Sequence, residues 1–119
     1  MDDVFDYFKS CLEVFSRARI ENNLLVFDPG IGFGKNDEHN CLILRNIKEF
    51  SALGVPVMLG ASRKSFIGRL AGDSSVDNRL GGSIASVLWG LSQGVQFFRV
   101  HDVQETVQAI KIWQAIKDA

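Results

Sequence analysis

No stretch of this chain approaches the roughly 18 consecutive apolar residues that a membrane-spanning helix needs. Its start carries Asp2 and Asp3, unlike a secretory leader. Neither charge predominates: 13 basic and 14 acidic residues leave a formal net charge of −1. Nucleic acid and anionic membranes, which select for a basic excess, are therefore not favoured partners. The expected compartment is the cytoplasm. Cysteine is scarce, and both residues, Cys11 and Cys41, fall on apolar helical faces, where buried free thiols are expected rather than a disulfide. The two histidines add no paired metal-ligand spacing to them. Proline occurs only as Pro29 and Pro56, at the end of one apolar run and the start of another.

What the chain does have is 46% hydrophobic residues over 119 positions, enough for one core and one domain. The stretch that organises it is Asp28-Pro29-Gly30-Ile31-Gly32-Phe33-Gly34-Lys35, which follows Leu24-Leu25-Val26-Phe27 and precedes an amphipathic helical pattern from near Asn40. Four apolar residues in a row predict a strand buried on both faces, as in parallel sheets, with Asp28 at its carboxyl edge. Two nucleotide motifs fail here. A Walker A loop needs glycine where Pro29 stands and Ser or Thr where Asn36 stands. A dinucleotide fingerprint needs its third glycine at Lys35. A tight strand-to-helix turn without any ligand is the plainer alternative.

Before this stretch, Val4, Phe5, Phe8, Cys11, Leu12 and Phe15 have helical spacing within residues 4–19, a packing stripe opposite Asp6, Lys9, Glu13 and Arg17. After it, Leu42, Ile43, Ile47, Phe50 and Leu53 mark a second helix that Gly54 ends. Residues 55–59 read as the next strand, with Pro56 near its start. Residues 66–76, with Gly68, Gly72 and the polar Asp73-Ser74-Ser75 turn, read as a mobile loop over a site. A helix over residues 77–93 follows, whose Gly81-Gly82-Ser83 suggests close approach by another backbone or a ligand. The third strand covers residues 95–100, and a last helix covers 103–117 with a capping box from Asp102 and Glu105. Trp89 and Trp113 lie on helical faces and read as packing. The alternation predicts α/β architecture with parallel βα units and no internal boundary in 1–119.

Each strand delivers polar residues at its carboxyl end: Asp28 at the first, Ser62 to Ser65 past the second, and Arg99 and His101 at the third. In a parallel sheet these converge on one edge, where such folds keep their sites. A carboxylate at Asp28, read as buried, suits two parallel N–H donors of an aminopyrimidinone edge. Lys64, Arg99 and His101 beside a helix start suit a phosphate or diphosphate. Gly60-Ala61-Ser62-Arg63-Lys64 departs from the nucleophile elbow of serine hydrolases at its last position.

These three motifs, in this order and spacing, closely resemble dihydropteroate synthase of the folate pathway. The resemblance runs from near residue 3 to the end and implies that 1–119 is the C-terminal portion of a pterin-binding domain. That domain is a (β/α)8 TIM-type barrel, of which the chain would hold the last three βα units. It further implies condensation of 6-hydroxymethyl-7,8-dihydropterin diphosphate with 4-aminobenzoate to dihydropteroate and pyrophosphate, and a sulfonamide target. By motif, Asp28, Gly60, Lys64 and Arg99 would bind pterin, Arg99 and His101 the diphosphate, and Phe33 and Ser65 the aminobenzoate. No covalent catalyst is implied. A Mg2+ ion is implied with its ligand outside this chain, as are partnership with the remainder of the barrel or a homo-oligomer. The earlier strands of the family have no counterpart here, which leaves a non-catalytic or incomplete pterin- or phosphate-binding fragment as an alternative. The pterin-binding barrel of corrinoid-linked methyltransferases is a second, against which Ser62-Arg63-Lys64 followed by Arg99-Val100-His101 argues.

Overall fold

The computed structural model describes residues 2–73 and 75–119. Helix α1 (Asp2–Arg17) is followed by a 3-10 turn at Asn22–Leu24, α2 (Asp37–Arg45), α3 (Lys48–Ser51) and strand β1 (Met58–Leu59). Then come α4 (Ser65–Ala71), a 3-10 turn at Val76–Asn78, α5 (Leu80–Ser92), β2 (Phe97–Phe98) and α6 (Val103–Lys117). The chain is thus mostly helical around a small parallel sheet. No helix among the described residues is long and apolar enough to cross a membrane.

The sheet is short, but its register decides where the chemistry lies. Met58 pairs with Phe97 and Leu59 with Phe98, both parallel, and Phe27 forms a parallel bridge to Val57. The Phe27 N–H donates to Pro56 O at 2.8 Å, and Met58 N–H donates to Phe27 O at 2.7 Å. Pro56 therefore serves as an acceptor just ahead of the ladder, where its missing donor costs nothing. Arg99 N–H continues the ladder to Leu59 O at 3.0 Å. Since the three segments run the same way, residues 28, 60 and 99 leave the sheet on one edge.

Below the sheet, Phe8 of α1 stacks on Phe27 with ring centroids 4.4 Å apart and meets Phe50 of α3 edge-on at 5.3 Å. Ile47, Phe50, Val57 and Leu59 complete this core at 1% exposure or less. Each large side chain so buried contributes on the order of 1.5–3 kcal/mol. Val4, Phe5 and Leu12 of α1 pack on the core with only part of their surface, so the expected stripe is real, with Phe8 its one fully buried member.

Several sequence expectations are corrected. Residues 24–27 do not form a strand buried on both faces: Leu24 sits in a 3-10 turn at 74% exposure, Val26 is exposed, and only Phe27 pairs. Phe27 has a neighbouring segment on one side alone, so the rest of the run has no ladder to join. Helix α2 starts at Asp37 rather than near Asn40, because Asn36 Oδ1 accepts the His39 N–H at 2.8 Å and caps it. Residues 66–76 are not one loop. Residues 65–71 form α4, whose Phe66 and Ile67 are buried and whose end is the left-handed Gly72. Ser74 lies outside the described residues.

Helix α5 starts at Leu80, after the 3-10 turn, rather than at Asp77. The close approach expected at Gly82 comes from a side chain: a Cβ there would meet Ile67 Cγ2 of α4 at 2.2 Å. The Asp102–Glu105 capping box does not form, since no side chain caps α6. Neither cysteine is buried, Cys11 being half-buried and Cys41 exposed; both are free. Trp89 is half-exposed and donates its indole N–H to Leu44 O.

Candidate functional site

The glycine-rich loop is built to hold its own shape. Asp28 Oδ1 accepts the Gly30 N–H at 2.8 Å, and Gly32 N–H donates to Oδ1 of the fully buried Asn40 at 2.9 Å. Phe33 N–H donates to Gly30 O at 3.1 Å, and the buried Ile31 anchors the turn in the core. Lys35 Nζ donates to the carbonyls of Gly30 (2.9 Å) and Phe33 (3.0 Å). Three amides and one lysine are thus spent internally, which sets this loop apart from a phosphate cradle. Asp28 is exposed, contrary to the buried carboxylate expected from the sequence, because the segment before it has a partner on one side only.

Lys64 closes over this loop from the end of the second segment. Its Nζ lies 4.1 Å from the centroid of the exposed Phe33 ring, a cation–π contact. Gly32 has φ +85° and its α-carbon faces the Lys64 stem, where a Cβ would come within 3.1 Å of Cδ. Arg99 lies over Gly60 in the same manner, with Nη2 3.0 Å from the position of a Cβ. Small residues here let long cationic side chains lie flat on the backbone. Among the described residues, no carboxylate pairs with Lys64 or Arg99.

Between them Arg63 adopts φ +57°, which residues with a Cβ rarely adopt and which needs outside support. Its N–H donates to Ser83 Oγ at 2.9 Å, and its carbonyl accepts Arg79 Nη1 at 2.9 Å, both from the start of α5. The Arg63 guanidinium binds Asp102 at the start of α6. That hydrogen bond holds the Asp102 carboxyl below the ordinary aspartate range and raises Arg63 in turn. Ser62 is buried at 6% exposure, with Oγ 3.0 Å from His101 Nδ1 and accepting the His101 N–H at 3.1 Å.

The result is a cleft of about 450 Å³ lined by Gly60, Ser62, Lys64, Arg99, Val100 and His101. Three basic side chains and no acid line it, which fits an anionic ligand. Asp28, Phe33 and Ser65 do not line this cleft; Phe33 reaches it through Lys64, and Ser65 is exposed at the start of α4. Sequence reading missed Asn40, Arg79 and Ser83 as supports. For Ser83, the glycine pair before it was the available signal. It also weighed Ser62 only as a nucleophile. Among the described residues no third group is hydrogen-bonded to the His101 ring as a hydrolytic triad would require, and it is Nδ1 that faces the serine.

A family model for pterin binding enzymes matches residues 1–101. Over 119 residues the chain is 40% identical to dihydropteroate synthase of Haemophilus influenzae, covering 100% of this chain and 43% of that protein. Dihydropteroate synthase from Xanthomonas albilineans, solved in complex with 7,8-dihydropteroate, superposes with a TM-score of 0.95 at 36% identity, over 99% of this chain and 46% of that one. The Yersinia pestis synthase, solved with a sulfonamide drug complex, superposes at 0.91 with 39% identity, over 100% and 43% of the two chains. The chain spans less than half the length of the curated relatives it matches.

Proposed function

Because the chain belongs to the pterin binding enzyme family, we propose that it supplies the carboxyl-terminal part of a dihydropteroate synthase site. In this reading 1–119 carries the last three βα units of a (β/α)8 barrel domain without an internal boundary, and the remainder of the barrel or a second copy completes the site. The cytoplasm is the proposed compartment, where free thiols such as Cys11 and Cys41 persist. The observation that carries the reading is the convergence of Lys64, Arg99 and His101 in one cleft at the carboxyl edge of the sheet.

The reaction asks for little covalent help. The C–O bond to the diphosphate breaks with its electron pair leaving on pyrophosphate. The 4-aminobenzoate nitrogen forms the new C–N bond, and its surplus proton goes to solvent. Arg99 and His101 would hold the departing anion, where cationic donors count most as charge builds. Gly60, with Arg99 above it, would seat the flat pterin, and Asp28 would take the pterin's amino edge. Lys64 would exchange the Phe33 ring for the pterin carbonyl, freeing Phe33 to line the aminobenzoate pocket beside Ser65. Fixing two reactants in this way lowers the barrier through orientation rather than through a nucleophilic side chain.

The family resemblance also implies Mg2+. Among the described residues no group of three His, Cys, Asp or Glu side chains could hold a metal ion. It is the resemblance that implies a ligand outside this chain, and no described residue is assigned to the ion. The test of the whole reading is 4-aminobenzoate-dependent pyrophosphate release by the full-length protein. Lys64→Ala and Arg99→Ala should each abolish it, whereas near-normal rates would remove the assignment. A non-catalytic pterin- or phosphate-binding role is the second reading, which draws on the same cleft of basic side chains. Pterin diphosphate binding with no product formed would select it.

A further inference from the structure

Ser62 and His101 are 39 residues apart in sequence and joined twice in space. The buried Ser62 oxygen accepts the backbone N–H of His101 and lies 3.0 Å from Nδ1 of its ring. Among the described residues the hydroxyl has no further hydrogen-bond partner. A serine hydroxyl has one proton and two lone pairs. With one lone pair taken, either the hydroxyl donates to a bare Nδ1, or Nδ1–H donates to the second lone pair. For a neutral ring, the second arrangement strands a buried hydroxyl proton without an acceptor, at the cost of a lost hydrogen bond. The first satisfies every group and puts the single ring proton on Nε2. A protonated ring carries a proton on Nε2 as well. In either charge state, Nε2 therefore offers the cleft an N–H and no lone pair.

We infer that Ser62 is a positioning residue that holds His101 by backbone and ring together, presenting Nε2–H as a fixed donor to the leaving diphosphate. This role rests on the diphosphate reading above and adds to it the residue that sets the imidazole's polarity. An Nε2 lone pair would repel a phosphate oxygen, whereas Nε2–H stabilises the charge that builds there as the C–O bond breaks. Ser62 is assigned no nucleophilic role, since its side chain is buried at 6% exposure and its oxygen already accepts the His101 main-chain N–H.

Histidine-labelled full-length protein gives the tautomer directly by imidazole 15N spectroscopy, with His101→Gln assigning the signal. The neutral form of the ring is expected to carry its proton on Nε2, and a neutral form protonated at Nδ1 would overturn the proposal without any change at Ser62. Pyrophosphate titration supplies the second arm. Ser62→Ala should weaken pyrophosphate binding about tenfold, leave 6-hydroxymethyl-7,8-dihydropterin binding within about twofold, and be largely rescued by Ser62→Thr. Equal loss for both ligands would mark general disruption and end the positioning role. Absence of pyrophosphate binding by the unsubstituted protein would sink the diphosphate reading and this role with it. Binding that survives Ser62→Ala would sink this role alone.

Discussion

Arg63 grips both carboxylate oxygens of Asp102, with Nη2 2.8 Å from Oδ1 and Nε 3.2 Å from Oδ2. The pair ties the exit of β1 to the entrance of α6 and diverts the Asp102 side chain from the capping role its spacing suggests. Meanwhile the Asp102 carbonyl accepts both the Thr106 N–H (3.0 Å) and its hydroxyl (2.7 Å). One aspartate thus serves two ends of the site.

Removing the Arg63 side chain should therefore disturb the segment that carries Ser62 and Lys64. Arg63→Ala keeps a side chain at φ +57° while losing the fork to Asp102. Arg63→Gly loses the same fork but suits that backbone conformation. Thermal melts should rank wild type above Arg63→Gly and Arg63→Gly above Arg63→Ala. A reversed order of the two variants would show that backbone strain at 63 is unimportant.

Acid should destabilise the fold through its paired aspartates. Hydrogen bonds from Arg69 lower Asp37, bonds from the Ser75 backbone and Asn78 lower Asp73, and Arg63 lowers Asp102, each from an ordinary value of 3.8. A carboxylate depressed in the folded state contributes stability above its unfolded pKa, which is lost as pH falls through the folded one. Melting temperature should hold near neutrality and drop below about pH 4. Asp37→Asn and Asp102→Asn should each flatten that drop; an unchanged acid slope in both would refute the linkage.

Gly82→Ala should weaken the seam between α4 and α5, since the new methyl would overlap Ile67 Cγ2 at 2.2 Å. Overpacking of this kind costs about 1–3 kcal/mol. Ile67→Ala in the same chain makes room, so chemical denaturation of the four-member cycle should show favourable coupling. Strict additivity would mean the two helices simply shift apart.

Gly60→Ala separates folding from binding. The obstacle to its methyl is the far end of Arg99, a flexible guanidinium with Nη2 at 3.0 Å, and not backbone. Denaturant midpoints should move by less than the equivalent of about 0.5 kcal/mol, while pyrophosphate affinity falls as Arg99 is pushed off its place. A variant that melts early and still binds normally would contradict this division.

What the sequence disclosed depended on how far apart the partners stand. Positive φ at Gly54 and Gly94 is a local property, and each ends a helix or turn where a glycine stop is expected. The polar residues at three strand ends were also readable, because a parallel ladder aligns carboxyl termini whatever its length. Helix α4 was hidden by Gly68, Gly72 and the polar run after them, while its anchors Phe66 and Ile67 look like any apolar pair until α5 supplies a surface. Residues 24–27 misled in the opposite sense, since an unbroken apolar run implies two covered faces and only Phe27 found a neighbour. The bonds from Arg63 to Asp102 and from Ser62 to His101 each span 39 positions, beyond any local spacing rule. Only the fold could introduce them.

Lys35 has a consequence for direction. By bridging the Gly30 and Phe33 carbonyls it takes up two of the glycine loop's acceptors, while the basic side chains Lys64, Arg99 and His101 line the cleft across the rim. The mouth is therefore lopsided, like a socket keyed on one side. In the proposed reading, a visitor with a charged tail and a flat head would put the tail on the basic side.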